Sequence, residues 1–287
     1  AAGDIATLYE YATGTWRCIS YTKASGAAVT GGTMPRSYLA GLTLSNDTDT
    51  AHDINVAAGA ARDSSNVADI TLAAEITKKI DANWAAGDDA GGFPSGLTLT
   101  NDTWYAVFLI ATTAGTVDVG YDTSLTATNL LSDATGYTLY RRVGWVRYGT
   151  ATLLQFVQRG DYIYWTDPNT VGVDVSASAV STSEATFTLA NCAPSVVAQL
   201  SVHVAGGQEQ AFVALYETDR TTAAVAATTG IVANLGGNGN QASGVVNFNS
   251  QHTIFVDASR QIHGRAAAAE TITIQTLGWT DTRGRDT

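Results

Sequence analysis

Alternation of apolar and polar side chains along short segments is the feature that most constrains the fold of this chain. In "DINVA" (53–57), the two branched aliphatic side chains point to one side of an extended strand, and the two polar side chains point to the other. "GTVDVGYDT" (115–123) alternates in the same way, whereas "TWYAVFLIAT" (103–112) is apolar enough to be covered on both faces. Turns rich in Gly, Asn and Ser separate such segments. The pattern therefore predicts an all-β chain.

One segment, "DITLAAEITKKI" (69–80), allows two interpretations. Its apolar residues at period two are Ile70, Leu72, Ala74, Ile76 and Ile80. Lys78 is the only interruption of that period, and the β-branched residues favour a strand. A short helix around 73–84 is the alternative, because three large apolar residues recur there at a spacing of four. The strand fits more positions and is our prediction.

The order of the predicted strands suggests two antiparallel β-sandwich or jelly-roll-like domains after an N-terminal segment. The N-terminal segment covers residues 1–37, the first sandwich 38–167 and the second 168–287, where shorter strands follow closely. The boundary is placed at "TDPNTVG" (166–172), because its proline cannot donate a hydrogen bond to a strand ladder.

Two pairings are predicted inside the first sandwich. Residues 103–123 form an antiparallel hairpin around a glycine-containing turn. "YTLYRRVGWVRY" (137–148) and "LLQFVQRGDYIYWT" (153–166) form a second pair around the turn that separates them.

The charge balance argues against nucleic acids and membranes as partners. The chain has 287 residues and a net charge of −11, and only 14% of its residues are charged. The basic groupings, "YRRVGWVRY" (140–148) and "RGR" (283–285), are both too short for a nucleic-acid footprint. An acidic chain is also repelled by anionic lipid, and no apolar run is long enough for membrane insertion.

The two cysteines, Cys18 and Cys192, belong to no metal-binding spacing. We interpret them as two buried free thiols, although pairing remains the alternative. No motif indicates a cofactor.

The residues suited to cation binding lie together in "SNDTDTAHDINV" (45–56). They are Asp47, Asp49, His52 and Asp53. Hard cations bind carboxylate oxygens, but the glycine and the terminal glutamate of a calcium loop are missing here. A solvated turn before a strand is the preferred interpretation, so no metal site is predicted. Nearby, Arg62 either braces a tight loop through a carboxylate or carbonyl or captures an anion.

No catalytic residues are predicted, and the chain is expected not to be an enzyme. It has no nucleophile elbow, and its four histidines are scattered without a zinc-binding spacing. The loop "WAAGDDAGGF" (84–93) is the candidate ligand site, with Trp84, Asp88 and Asp89 as glycan contacts. An indole offers a flat face for sugar stacking and the carboxylates accept hydrogen bonds, although Trp84 also suits the edge of a core. Trp104, Trp145 and Trp165 lie within strand patterns and are expected in the core.

Five pieces of the sequence, taken in order, carry a resemblance to a known family. They are "GLTLSNDTDTAHDINVAAGAARDSSNVADITL", "ITKKIDANWAAG", "TWYAVFLI", "VDVGYDTS" and "GYTLYRRVGWV". Together they make the segment from about 38 to 167 resemble virion surface proteins of tailed bacteriophages, particularly tail-fibre or other appendage proteins.

The resemblance implies a structural protein that serves host attachment on the virion. It implies other virion proteins as partners, a homo-oligomer with a trimer favoured, and a host cell-surface glycan as a candidate ligand. No catalytic residues are carried over. The second sandwich (168–287), which the resemblance does not cover, is then a candidate for receptor binding or oligomerisation. The alternatives are a spike depolymerase that cuts host polysaccharide and a free carbohydrate-binding protein.

Overall fold

The chain folds into two compact units. The computed structural model describes residues 3–22, 24, 34–206, 210–221, 234–238 and 246–285. The units are Ala1–Pro35 and Arg36–Thr287. The smaller unit contains one antiparallel hairpin of β1 (Ile5–Ala12) and β2 (Thr15–Thr22), and every residue of both strands is exposed.

The larger unit is built almost entirely of strands. The strands are β3 (Leu39–Gly41), β4 (Leu44–Asn46), β5 (Asp53–Val56), β6 (Gly59–Arg62), β7 (Asp69–Leu72), β8 (Ile76–Asn83), β9 (Ala90–Phe93), β10 (Thr103–Thr112), β11 (Val117–Asp122), β12 (Tyr137–Tyr148), β13 (Phe156–Arg159), β14 (Tyr162–Trp165), β15 (Val175–Val180), β16 (Ala185–Thr188), β17 (Val196–Gly206), β18 (Gln210–Tyr216), β19 (Asn234–Asn238), β20 (Val246–Val256), β21 (Gln261–Ala266) and β22 (Glu270–Thr280). Two short helices accompany them in the described ranges, α1 (Thr128–Asp133) and α2 (Pro168–Val171). The prediction of an all-β fold is confirmed.

The strands of the larger unit form several sheets. The strand orders are β11-β10-β12, β3-β6-β7, β4-β5-β8-β9, β16-β21-β18-β19 and β13-β14-β22-β17-β20, with β15 also beside β22. Every described pairing is antiparallel except that of β8 with β9. The strand β10 lies at the centre of its sheet and is buried along eight of its ten residues, as its unbroken apolar run predicted.

One sheet and one aromatic cluster extend across residue 168. The strand β14 precedes Pro168 and pairs with β22, which follows it. The rings of Trp104, Trp165 and Trp279 pack with centroids 5.0–5.7 Å apart, so both sides of residue 168 supply one core. The division into two sandwich domains at this point stays a prediction, while Arg36–Thr287 is one compact unit by its contacts.

The segment 69–80 is extended, as predicted. It forms β7 and β8 with a break at 73–75, and the alternative helix does not occur there. Lys78 lies on the buried side of β8 with Ile76 and Ile80. Lys78 interrupts the apolar pattern of the sequence, but its side chain lies on the same buried side of the strand as the apolar residues of that pattern.

One predicted pairing is wrong. The strand β12 pairs along its length with β10, and it touches the following segment only through a bridge between Tyr148 and Leu153. The segment 153–166 instead folds on itself as the hairpin β13–β14. Its two-residue turn begins at Gly160, whose φ of 63° suits glycine.

Candidate functional site

The two basic groupings of the sequence meet at one cavity. The strand β12 supplies Arg141 and Arg142, and the turn after β22 supplies Arg283. The cavity has a volume of about 250 Å³. Its other lining residues are Ser64, Leu125, Trp145, Pro194, Ser195, Thr282 and Gly284. We call this site the arginine pocket.

Arg141 is the unusual member of the arginine pocket. Its residue is only 3% exposed, yet its Nε and Nη2 atoms have no hydrogen-bond partner among the described residues. Burial lowers the pKa of Arg141, and the neighbouring Arg142, Arg285 and Arg283 lower it further. A guanidinium stays protonated under ordinary conditions, so the site holds a buried positive charge with two donor nitrogens that lack a hydrogen-bond partner.

The other arginines of the site are held by carboxylates. Arg142 donates two parallel hydrogen bonds to Asp281, from Nη1 at 2.5 Å and from Nη2 at 2.8 Å. Arg283 donates from Nη2 to Asp161 at 3.2 Å, and Arg285 donates to the other oxygen of Asp161. These paired arginines are fixed in place and are not free to turn towards a ligand.

The charges at the arginine pocket do not cancel. Arg283 is braced further, because its Nη1 donates to the carbonyl of Gly41 at 2.9 Å. Asp63 also opposes the charge of Arg141, but its oxygens accept hydrogen bonds from Ser65, Val67 and Ala68. Four arginines therefore face three aspartates, which leaves one positive charge in excess inside a protein whose net charge is −11.

Trp145 adds a further donor. Its ring face lies against Arg142, whose guanidinium carbon is 5.2 Å from the ring centroid. Its indole nitrogen is buried without a hydrogen-bond partner in the described part of the chain. The arginine pocket thus combines four donor nitrogens without a partner, two on Arg141, one on Trp145 and one on Arg283, with hydroxyl groups of Ser64, Ser195 and Thr282.

The residues chosen from the sequence lie elsewhere. Trp84 is half-buried, packs edge-on against Tyr137 at 5.5 Å, and donates its indole N–H to the carbonyl of Val119 at 3.2 Å. Asp88 accepts the amide of Thr77 at 2.8 Å. Asp89 is exposed and pairs with Lys79 at 2.8 Å. Glycan contact by Trp84, Asp88 and Asp89 stays a prediction, although Trp84 has partners that hold it against the core.

The buried lysine beside this loop is fully paired. Lys78 Nζ lies 2.8 Å from Asp118 Oδ1 and donates to the carbonyl of Ala85 at 2.7 Å. Asp118 also accepts the amides of Gly87 and Val119, each at 2.7 Å. Burial lowers the pKa of Lys78, and Asp118 opposes that shift. Because every charge here is matched, Lys78 and Asp118 form a structural element rather than a site open to a ligand.

Of the acidic stretch, residues 47–52 form the turn between β4 and β5, and Asp53 begins β5. Asp47 accepts from the Asn55 amide at 2.9 Å, and Asp49 lies 3.3 Å from the His52 ring nitrogen. No group of three or more His, Cys, Asp or Glu residues suited to a metal occurs in the described ranges. Burial raises the pKa of Asp53, which sits on the inner side of the strand.

Arg62 braces its loop, as one of the two interpretations proposed. It donates to Asp69 at 2.6 Å and to the carbonyl of Asn66 at 2.8 Å. Both cysteines are free thiols. Cys192 is buried, as expected, but Cys18 is exposed, so the expectation of burial is wrong there because the hairpin strand that carries it has no covered face.

Three predicted core tryptophans, Trp104, Trp145 and Trp165, are buried. Of the faces of β14, the one with Ile163 and Trp165 is buried, while Tyr162 and Tyr164 remain partly exposed and stack at 5.5 Å. Sequence reasoning missed the arginine pocket. The signal was present in the two basic groupings, but each of them alone is too short to indicate a site, and they are far apart in the sequence.

In the part of the chain that the structure describes, no helix has the length and apolar character to span a membrane. No family model matches the chain, and no curated protein is significantly similar to it.

Proposed function

We propose that this chain is a structural and attachment component on the surface of a phage-like particle, and that its arginine pocket binds a carboxylate group of an acidic surface glycan. The proposed role is binding and not catalysis. The particle surface is suggested by the resemblance of residues 38–167 to virion appendage proteins. The arginine pocket supports the ligand class.

The observation that carries the binding proposal is the unpartnered guanidinium of Arg141. Burying a charge without a partner costs several kcal/mol, so a fold that retains one departs from what stability alone favours. Such departures are expected at functional sites. An anion that enters the arginine pocket would supply the missing partner.

The atoms left free favour a planar, two-oxygen anion. Nε and Nη2 lie on the same edge of the guanidinium group, and this edge matches the two oxygens of a carboxylate in parallel hydrogen bonds. The hydroxyls of Ser64, Ser195 and Thr282 suit the hydroxyl groups of a sugar ring. A sugar acid joins both chemistries in one ligand.

Calorimetric titration with oligosaccharides that end in glucuronic or sialic acid tests the ligand. The same oligosaccharides with the carboxyl group reduced to an alcohol are the matched ligand control. We expect binding only for the acids, and Arg141→Met should weaken it by about 100-fold or more, since it removes two hydrogen bonds to a charged group that contribute about 1.5–3 kcal/mol each. Equal binding by Arg141→Met would refute the proposal, and stronger competition by inorganic phosphate would change the ligand class.

A stability measurement separates this role from a structural one. Arg141→Met removes an unpaired buried charge, so the free energy of unfolding without ligand should stay equal or rise. Arg142→Met, in the adjacent position, leaves Asp281 buried without its bidentate partner and should cost about 3 kcal/mol or more. A large loss of stability in Arg141→Met would show that an internal partner holds this residue.

The location is tested independently by mass spectrometry of purified particles. Peptides of this chain should be present in stoichiometric amounts. Their absence from particles would refute the virion role and leave a free carbohydrate-binding protein. Release of reducing ends from host polysaccharide would instead indicate a depolymerase.

A further inference from the structure

One face of the sheet β13-β14-β22-β17-β20 lies outside the core, and the strand register defines the rows of side chains on it. Residues paired across strands share a face. The first row is Tyr162, Thr280, Val197 and Phe255, and the second row is Tyr164, Gly278, Gln199 and Thr253. Every side chain in these rows is exposed or partly exposed, whereas Ile163, Trp279 and Ala198, which lie between the rows, are buried. The two rows therefore form one continuous surface.

Aromatic side chains stand at both sides of this surface. Tyr162 and Tyr164 project from β14, with ring centroids 5.5 Å apart and ring planes 29° apart. Phe255 projects from β20 and is 47% exposed. The strands β14 and β20 are three strand spacings apart, which is about 14 Å. The positions between them are Thr280, Gly278, Val197 and Gln199. We call this surface the aromatic trough.

The aromatic trough is uncharged. A third row, which continues the first two, is Gln275, Ser201 and Gln251, and the three rows contain no Asp, Glu, Lys or Arg. About a quarter of the residues of an average protein are charged and most of them lie at its surface, so a solvated sheet face of this size ordinarily carries several. A nucleic acid or a charged peptide would find no ion-pair partner here.

One end of the aromatic trough leads to the arginine pocket. Val197 and Thr280 are paired across their strands in the first row. Ser195 and Thr282 line the arginine pocket, and each lies two residues beyond one of that pair, which corresponds to about 7 Å of extended chain. Arg283, another lining residue, also donates to Asp161, the neighbour of Tyr162. A ligand that fills the pocket therefore has the first row of the trough beside it.

We propose that the aromatic trough binds the neutral sugar units that follow the acid in the same glycan, so that the ligand is an oligosaccharide and not a single sugar acid. The inference rests on the role proposed for the arginine pocket. A pyranose ring has apolar C–H groups that pack against aromatic rings, and these are supplied at both sides of the trough. Its hydroxyl groups form hydrogen bonds with amides and hydroxyls, such as those of Gln199, Thr253 and Ser201.

Calorimetric titration with acid-terminated ligands of increasing length tests the proposal. The ligands are methyl glucuronide and oligosaccharides of two, four and six units that carry one terminal glucuronic acid. We expect the affinity to rise by about tenfold from the monosaccharide to the tetrasaccharide, because the added units gain contacts with the aromatic side chains. Equal affinity at every length would overturn the proposal and leave the arginine pocket as a site for a single sugar acid.

Variants of the two sides of the trough separate it from the arginine pocket. Tyr162→Ala and Phe255→Ala should each weaken tetrasaccharide binding by about two- to tenfold and leave binding of methyl glucuronide unchanged. Phe255 is half-exposed, so its variant should keep the melting temperature of the unaltered chain. Tyr9→Ala, at a 59% exposed position of the smaller unit, is the matched control and should change neither affinity.

The failure of the trough and the failure of the pocket give different results. If both trough variants keep the full gain in affinity with length, the trough is refuted while the pocket stands. If methyl glucuronide does not bind, and tetrasaccharide binding falls in Tyr162→Ala but not in Arg141→Met, the pocket is refuted and the trough is supported by itself.

Discussion

Removal of one partner from the Lys78–Asp118 pair should destabilise the larger unit strongly. Lys78 is not exposed at all, and Asp118 is 1% exposed. Breaking such a pair costs about 3–5 kcal/mol, because the remaining charge stays buried without its partner. Folded domains have only about 5–15 kcal/mol in total, so the change should be easily measured.

The two single variants should differ. In Lys78→Met, Asp118 still accepts two backbone amides, so the loss should lie near 3 kcal/mol. In Asp118→Asn, the ammonium keeps the carbonyl of Ala85 and can still donate to the amide oxygen, but it loses the opposite charge, and the amide NH2 faces a backbone N–H that the carboxylate had accepted, so the loss should approach 5 kcal/mol. The double variant carries no buried charge and should recover most of the stability, as replacement of whole buried pairs often does.

Urea unfolding followed by tryptophan fluorescence measures this cycle. The matched control is Lys79→Met, because Lys79 follows in the same strand and is also 2.8 Å from its partner, Asp89. That pair is 35% and 72% exposed, so its loss should cost less than about 1 kcal/mol. If the double variant loses the sum of the two single losses, the two side chains are not coupled and our account of the pair is refuted.

Two further predictions concern the larger unit. Burial would raise the pKa of Asp63, but hydrogen bonds from Ser65, Ala68 and Val67 outweigh that effect and lower it overall. The lowered pKa stabilises the folded state above the unfolded pKa of about 4, and this stabilisation is lost as pH falls through the folded pKa. Asp63→Ala should therefore cost on the order of 3 kcal/mol at neutral pH. It should also reduce the loss of stability at acid pH when the free energy of unfolding is measured against pH. The same loss of stability at acid pH in the variant and in the unaltered chain would contradict this prediction. Gly120→Ala places a methyl group against Leu130 and should cost about 1–3 kcal/mol, while Gly96→Ala, with open space around it, should not; equal melting temperatures would contradict this.

The strands could be predicted from the sequence because their signal is local. Alternation of apolar and polar residues predicted β5 and β11, and an unbroken apolar run predicted β10, which is buried on both faces. Pairing is a less local property, and there the prediction failed in part. The segments on either side of 149–152 looked like neighbours, but β12 found its partner in β10, across the intervening strand β11 and helix α1. A tight turn at Gly160 gave the later segment a partner of its own.

Buried charges were the least predictable feature. Lys78 breaks an apolar period in the sequence, and only its partner Asp118, on another strand, explains why it is tolerated inside. Arg142 and Asp281 are 139 residues apart in the sequence, so no local sequence pattern predicts the two hydrogen bonds between them. The arginine pocket depends on this tertiary arrangement and could not be assembled from either basic grouping alone.

The two buried cations, Lys78 and Arg141, differ in whether their donors are already paired, and this difference separates a structural ion pair from a candidate binding site. Lys78 and Arg141 are both inside and both on strands of the larger unit. The ammonium group of Lys78 is already paired with a carboxylate and donates to a carbonyl, so a ligand would form no new ion pair there. The charge of Arg141 has neighbours of its own sign and two unused donors on one edge, so an arriving anion would form hydrogen bonds that the folded chain does not make itself. Removing the ammonium of Lys78 should therefore lower stability alone, whereas removing the guanidinium of Arg141 should lower affinity while leaving stability intact.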